Sequence, residues 1–319
     1  MRVRRVIPLM IRPMVGSGGM SILLALLLDW CFGEPPAKAH PVVLMGRYLH
    51  LAGQGLTRLP PRLAFWRGAL FWCLGAGAFA GGYGLLGWLL GHLPSWLGLL
   101  LSGLFLKPLF AFRMLLEEAQ AVEEALKGGL ERGRERLRYL VSRDTQALSE
   151  SEVRESLLES AAENLSDSVV APLFWYLLLG LPGAALYRFA NTADAMWGYR
   201  GAWEWSGKWA ARADDLLNWL PARVTAGLLW LVSRRFSPRA LFQEACKTPS
   251  PNAGWPMAAL ALALGLRLGK PGVYTLNPSG RPPRSEEVAQ GLRMVARAGW
   301  LGGLLLASIE AWAYILKWF

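Results

Sequence analysis

Between Gly68 and Gly91 the chain carries neither an acid nor a base. The enclosing run, Phe65 to Leu93, exceeds the ~20 apolar residues a helix needs to cross a bilayer. Backbone polar groups in lipid must satisfy one another, so a run of this kind is a helix. Pro94 and Ser95 make a short uncharged turn, and Trp96 to Phe112 returns through the membrane. Both flanks of this hairpin then lie on one side. One flank, residues 33–63, carries Lys38, Arg47, Arg58 and Arg62, and the other, residues 113–168, is long and charged. A basic flank predicts that both face the cytoplasm. Ala298 to Phe319 is a third candidate span.

Composition agrees. Hydrophobic residues make up 53% of the chain and charged residues only 18%, with 16 Trp and 35 Gly. The predicted class is an all-α polytopic membrane protein, with several transmembrane and re-entrant helices and amphipathic cytoplasmic helices. The net charge of +11 is uneven: Arg113 to Asp167 holds 13 acids against 8 bases, Arg234 to Arg297 10 bases against 3 acids. No nucleic-acid module accompanies the basic tract, so nucleic acid is set aside in favour of the positive-inside bias, anionic lipid or a phosphorylated substrate. Cys31, Cys73 and Cys246 fit no metal spacing or disulfide framework and are expected as small core residues. Residues 1–19 lack an ordered signal-peptide pattern and precede a second methionine, Met20. They are expected to be an extension without function, leaving 20–319 as one integral membrane domain.

Other apolar runs are shorter or broken. Ser21 to Leu28 and Ala222 to Val232 are brief, and Val169 to Ala190 is interrupted by "GLPG" at Gly180 to Gly183. That breaker suits either a re-entrant pair of half-helices or a kinked span. In the first case the polar residues before Val169 and after Ala190 face the same side. Arg113 to Leu130 reads as an amphipathic helix with Glu117, Glu118, Glu123 and Glu124 exposed, ended by Gly128 and Gly129. "SESE", Ser149 to Glu152, is a capping start for the helix that follows.

That helix carries Glu159, Glu163 and Asp167 at i, i+4 and i+8, one face of like charges that repel unless something cationic offsets them. Two further clusters abut apolar runs. "NTADAMWGYR" holds Asn191, Asp194 and Arg200, and "ARADDLLNWLPAR" holds Asp214, Asp215 and Asn218. Each alone is most simply a solvated face. Three together beside lipid point to a shared acidic site for a hard cation such as Mg²⁺, commonly bound with substrate phosphates. No G-x-x-x-x-G-K-[ST] sequence is present, so a nucleotide would not sit in a P-loop. In "TPSPNAGWP", Ser250 and Asn252 could cap a helix and present N–H groups to an anion. His40, before Pro41, reads as structural.

Six stretches, "LLLDWCFGEPPAKAHPVVLMGR", "LVSRDT", "ESAAENLSDSVVAPLF", "NTADAMWGYR", "ARADDLLNWLPARVT" and "TPSPNAGWP", stand in the order of the adenosylcobinamide-phosphate synthase family of cobalamin biosynthesis. The chain resembles that family over nearly its whole length from Met20. It departs at Ser142, Leu165, Ser168, Ala195 and Arg200, where the family usually has Gly, Thr, Gly, Ser and Lys. No carboxylate is lost.

The resemblance implies an ATP-dependent ligase that joins adenosylcobyric acid to aminopropanol, or its O-phosphate, through an amide bond. It implies a multi-pass protein of the inner (cytoplasmic) membrane with its site on the cytoplasmic side. The partners it implies are the corrinoid and amine substrates and the lipid bilayer, with further copies of the chain or other corrinoid-pathway enzymes beside them. Glu159, Glu163, Asn164, Asp167, Asn191 and Asp194 are then the candidate catalytic residues. Glu163, Asp167, Asp194, Asp214 and Asp215 are the candidate Mg²⁺ ligands. Arg143, Asp144, Arg200, Lys208, Arg212, Ser250, Asn252 and His40 are candidates for holding ATP or substrate, and Asn218 for orienting phosphate or water. Two competing readings are a Mg²⁺-dependent membrane prenyltransferase and a carrier or sensor for an anionic solute. The first would need paired D-x-x-x-D-type repeats and the second repeated halves, and neither is evident.

Overall fold

The computed structural model describes residues 20–315, with side chains to Trp312. Residues 1–19, expected to be an extension, lie outside it. Among the described residues three stretches are long and apolar enough to cross a membrane: Pro61–Leu90, Ser95–Lys127 and Ser285–Trp312. The first is one uninterrupted helix, α3, and the third belongs to α14 (Ser285–Ile315). The second is shared between α4 (Ser95–Leu106) and α5 (Phe112–Lys127), and the two helices that precede α3, α1 (Met20–Phe32) and α2 (Pro41–Gly53), are shorter.

The returning arm of the hairpin is interrupted, in contrast to the continuous return expected from Trp96 to Phe112. After α4 a 3-10 turn spans Lys107–Leu109, and Phe110 and Ala111 are out of helical geometry before α5 begins. Pro108 cannot donate a backbone hydrogen bond, and Lys107 turns inward. Its ammonium lies 3.3 Å from Asp29 and 3.0 Å from Glu34. The break serves a docking contact. The amide of Ala111 donates to the carbonyl of Ser168 at 2.9 Å. Pro172, four residues beyond Ser168, has no N–H to fill that carbonyl within its own helix.

The charged middle of the chain forms α6 (Leu130–Leu137) and α7 (Glu150–Leu165). Ser149 caps α7 as the sequence indicated. Its hydroxyl accepts from the Glu152 amide, and the Glu152 carboxylate accepts from the Ser149 amide at 2.7 Å. A π-helical turn, Ser166–Val170, carries α7 into α8 (Ala171–Leu179), and α8 ends at Gly180 with φ 69° and ψ −155°. A Cβ is barred from that backbone conformation, so glycine alone turns the chain here. Then α9 (Leu181–Trp197) folds back along α8. The guanidinium of Arg188 reaches the Ser168 hydroxyl, 3.5 Å away across the hairpin. Of the two readings of "GLPG", the structure selects the hairpin of half-helices over the kinked span.

The remainder is α10 (Lys208–Leu217), α11 (Trp219–Ser233), α12 (Pro238–Ala245) and α13 (Gly254–Leu264), followed by a small antiparallel hairpin of β1 (Leu268–Lys270) and β2 (Tyr274–Leu276). The hairpin is the one named sheet in an otherwise helical described chain.

Two expectations about burial fail. Glu123 is buried, held by a two-pronged ion pair from Arg154 at 3.0–3.2 Å that ties α5 to α7. A 3.6-residue period places Glu123 near the boundary of the polar face, and a cation 31 residues away draws it in. The three cysteines, expected in the core, are exposed. Cys73 lies on the candidate span Pro61–Leu90, and a helix that crosses a membrane is apolar on its outer face as well, so apolar neighbours there do not imply burial.

Candidate functional site

The carboxylate stripe occupies the last turns of α7 and the π turn. Glu159 is 1% exposed. One of its oxygens accepts from Arg143 at 2.9 Å, while Arg143 also donates to the Ser156 hydroxyl at 3.1 Å. The other oxygen of Glu159, buried as well, has no hydrogen-bond partner. One turn on, Asn164 is fixed by the Ser160 carbonyl at 3.0 Å and accepts from Ser168 at 3.2 Å. The π turn then presents Asp167. A wider turn of this kind re-aims side chains and recurs at functional positions. Asn218, at the junction of α10 and α11, donates to Asp167 at 2.5 Å and accepts from Ser166 at 3.1 Å.

The folded hairpin brings α9 to this face, and α10 packs against α9. Asn191 donates to Asp214 at 3.4 Å. Gly198 makes room for Asp194: a Cβ there would stand 2.0 Å from an Asp194 carboxylate oxygen. Glu163, Asp167, Asp194, Asp214 and Asp215 thus share one crevice and feel one another's charge. Glu163 and Asp167 keep some solvent-accessible surface, yet the crevice walls withdraw most of the water around them. Burial, followed by repulsion from Glu159, pushes the Glu163 carboxyl up to about 7. Burial and then Asp194 push Asp214 up to about 8, and burial and then Asp215 push Asp194 up to about 6. Burial, followed by Asp214, holds Asp167 well above the ordinary carboxylate range. Buried like charges with so little cationic compensation stay neutral or recruit a cation.

Among the described residues, no three His, Cys, Asp or Glu side chains form a ready-made metal cage. Beside the acidic groups lies a cavity of about 290 Å³ whose lining includes Arg143, Glu159, Glu163, Ser250, Lys270 and Tyr274.

The structure distributes the other candidates around this centre. Asp144 is exposed and accepts from the Gln146 amide at 2.9 Å. Arg212 is exposed on α10 and opposes the upward shift that burial gives Asp215. Arg200 is exposed at the start of a 3-10 turn, and Lys208 lies over the Trp205 ring, 3.5 Å from Glu204. The Ser250 hydroxyl accepts from the amides of Asn252 and Ala253 at 3.2 and 3.1 Å, fixing the entry to α13. Asn252 is buried, donating to the Asp215 carbonyl at 2.7 Å and accepting from Arg223 at 3.1 Å. His40 caps α2 by accepting from the Val42 amide and pairs with Glu34 at 2.9 Å. It belongs with Lys107 and Asp29 to a neighbouring polar cluster.

Four residues at the site were not anticipated. Lys270 and Tyr274 come from the β-hairpin, whose signal was the "KPGVY" turn between two short extended segments. Tyr187 is fully buried with an unpartnered hydroxyl and lies near Asp167 and Asp214. Arg188 stands between Asp167 and Glu34 and links the two polar clusters.

A family model described as CobD/Cbib protein matches residues 22–298. A protein of Methanothrix thermoacetophila named probable cobalamin biosynthesis protein CobD is 38% identical over 307 residues, covering 90% of this chain and 95% of the relative. The cobalamin biosynthesis protein CobD of Dehalococcoides mccartyi is 37% identical over 301 residues, 92% and 97% of the two chains. That of Chromobacterium violaceum is 39% identical over 300 residues, 91% and 96%. No solved structure gives a significant match. The match runs from α1 into the membrane segment of α14 and takes in every acidic residue of the crevice, so the chain belongs to the CobD/Cbib protein family.

Proposed function

We propose that the chain acts in cobalamin biosynthesis as an ATP-dependent ligase. Its reaction joins the carboxylate of adenosylcobyric acid to the amine of aminopropanol O-phosphate, or of aminopropanol, as an amide. The observation that carries this reading is the crevice in which three helices converge five carboxylates whose burial is scarcely offset by protein cations. Family membership supplies the pathway.

The donor set suits Mg²⁺ brought in with a nucleotide. Such an ion commonly takes one or two protein carboxylates and completes its shell with water and substrate phosphates, so separate acidic groups serve it without a closed cage. Glu163, Asp167, Asp194, Asp214 and Asp215 are the residues that would hold it. Bound there, it would neutralise charge on the transferred phosphoryl group.

The chain's own groups have definable tasks. Asn218 and Asn191 fix the orientation of Asp167 and Asp214, so the crevice is organised before reactants arrive. ATP converts the substrate carboxylate into an acyl phosphate, and the amine then displaces phosphate. The amine reaches the site as an ammonium and must lose a proton first. A carboxylate of the set that the ion leaves free, such as Glu163, would accept that proton. The crevice would sit at the cytoplasmic face of the inner membrane.

The test is an assay of purified protein in nanodiscs with adenosylcobyric acid, ATP, Mg²⁺ and either amine, following the corrinoid by mass. Product heavier by one amide-linked aminopropanol phosphate or aminopropanol, and absent without ATP, is expected. Folded protein that yields no product with either amine refutes the ligase reading.

A further inference from the structure

The cavity beside the crevice combines groups of both signs. Its volume of about 290 Å³ is at the lower end of the ~300–1,000 Å³ typical of ligand pockets, which suits a small molecule better than a nucleotide. Lys270 and Tyr274 face each other as partners across the β-hairpin, so their side chains leave on one face, and both line the cavity. The intervening turn is built for this. Pro271 and Gly272 (φ 71°) close it, and the Val273 amide donates to the Lys270 carbonyl at 3.0 Å. Lys270 acts on Glu163 through space, and among the described residues it makes no ion pair. Arg143 supplies a second cation, paired through one nitrogen with Glu159. Glu159, which also lines the cavity, supplies the opposite sign: its second oxygen makes no hydrogen bond, and the Tyr274 hydroxyl stands near the carboxylate.

We propose that this cavity is a subsite for a small amino-alkyl phosphate, in which Lys270 and Arg143 hold the phosphate and the free oxygen of Glu159 receives the ammonium. Lys270 is thereby the residue that selects a phosphorylated amine over a free one. A dianion beside two cations gains charge-assisted hydrogen bonds, while an uncharged hydroxyl at the same place leaves Lys270 without an anionic partner. A buried acceptor with no partner is costly unless a ligand supplies the donor, which the ammonium does. The cavity opens beside Glu163, so an amine held here stands next to the acidic crevice. The role of the subsite in amide formation rests on the ligase reading; its capacity to bind does not.

The test has a binding arm and a kinetic arm. In calorimetric titrations of the full chain in detergent, the wild type is expected to bind aminopropanol O-phosphate at least about tenfold more tightly than aminopropanol or inorganic phosphate. Lys270→Gln should weaken the phosphorylated ligand by about tenfold or more, and Lys270→Arg should restore most of the loss. Lys270→Met, which keeps the apolar stem, serves if the Gln variant loses its thermal transition. In the assay, Lys270→Gln should raise KM for the phosphorylated amine by a similar factor with kcat little changed, whereas a merely structural role would lower kcat and escape rescue by Arg. Equal affinity of the wild type for phosphorylated and free amine overturns the proposal. A KM that stays within twofold, or a rise in KM for ATP in its place, does so too. Selective binding without any amide product would leave the subsite standing and remove the ligase. Amide product with an indifferent Lys270 variant would do the reverse.

Discussion

Replacing Asp214 by Asn should stabilise the protein at alkaline pH and leave it nearly unchanged at acid pH. The folded chain pushes the Asp214 carboxyl from its ordinary 3.8 up to about 8, first by burial and next by the charge of Asp194. Below pH 4 the group is protonated in both folded and unfolded chains and contributes nothing. Between pH 4 and 8 the unfolded chain ionises it while the folded chain keeps the proton. The folded state then binds more protons, so stability falls as pH rises and levels off above 8. Taken alone, a displacement of that size withdraws on the order of 5 kcal/mol at pH 8. Asp194 and Glu163, pushed up to about 6 and 7, share the same repulsion. One neutral substitution should therefore recover about 1–3 kcal/mol. The amide keeps the shape of the carboxyl and risks only the 3.4 Å contact with Asn191.

The assay is thermal unfolding of the detergent-solubilised protein, followed by tryptophan fluorescence from pH 5 to pH 8. At roughly 2–4 °C per kcal/mol for a chain of moderate size, Asp214→Asn should melt several degrees above wild type at pH 8 and within about a degree of it at pH 5. Millimolar Mg²⁺ at pH 8 should raise the wild-type midpoint more than that of the variant. A gain that is equal at both pH values would refute the reasoning, because repulsion among ionised carboxylates would then have no part in it. A variant less stable at pH 8 would refute it outright.

Further perturbations address other links. Asp167→Asn and Asp194→Asn should each abolish turnover while membrane insertion and the thermal transition persist; wild-type activity in either variant removes that residue from the mechanism. Arg154→Met leaves Glu123 buried without its partner and should cost about 3 kcal/mol, whereas the double variant with Glu123→Met should recover most of the loss in the same melts. Gly198→Ala would set a Cβ 2.0 Å from an Asp194 oxygen, and displacing that carboxylate should lower kcat/KM by about 10- to 100-fold. An unimpaired alanine variant would show that the position of Asp194 is unimportant.

Features of the chain were legible where cause and effect are close in sequence. The Ser149–Glu152 cap, the stripe Glu159–Glu163–Asp167 and the breaker at Gly180 depend on spacings of three to eight residues or on the backbone freedom of one glycine. Pairings over long separations were not. Nothing near Glu123 announces Arg154, and nothing near Lys270 announces that it will line a cavity with Glu163, because those neighbours meet only once the elements have docked. The direction of the chain after Gly180 belongs to the same class, since a kink and a reversal have the same local sequence. The cysteines misled for a different reason. Apolar surroundings distinguish inside from outside only when the outside is water.

The turn at Gly180 also does the gathering at the site. One backbone reversal sets the approach to α8 beside the body of α9, so that Ser168 and Arg188, twenty positions apart, stand 3.5 Å from each other. The same reversal brings Asp167, before the hairpin, within reach of the charge of Asp194, near its far end. A substitution that straightened the turn would disperse these carboxylates and relieve their mutual repulsion without altering any one of them. The crevice's demand for a cation is thus set by a residue that has no side chain.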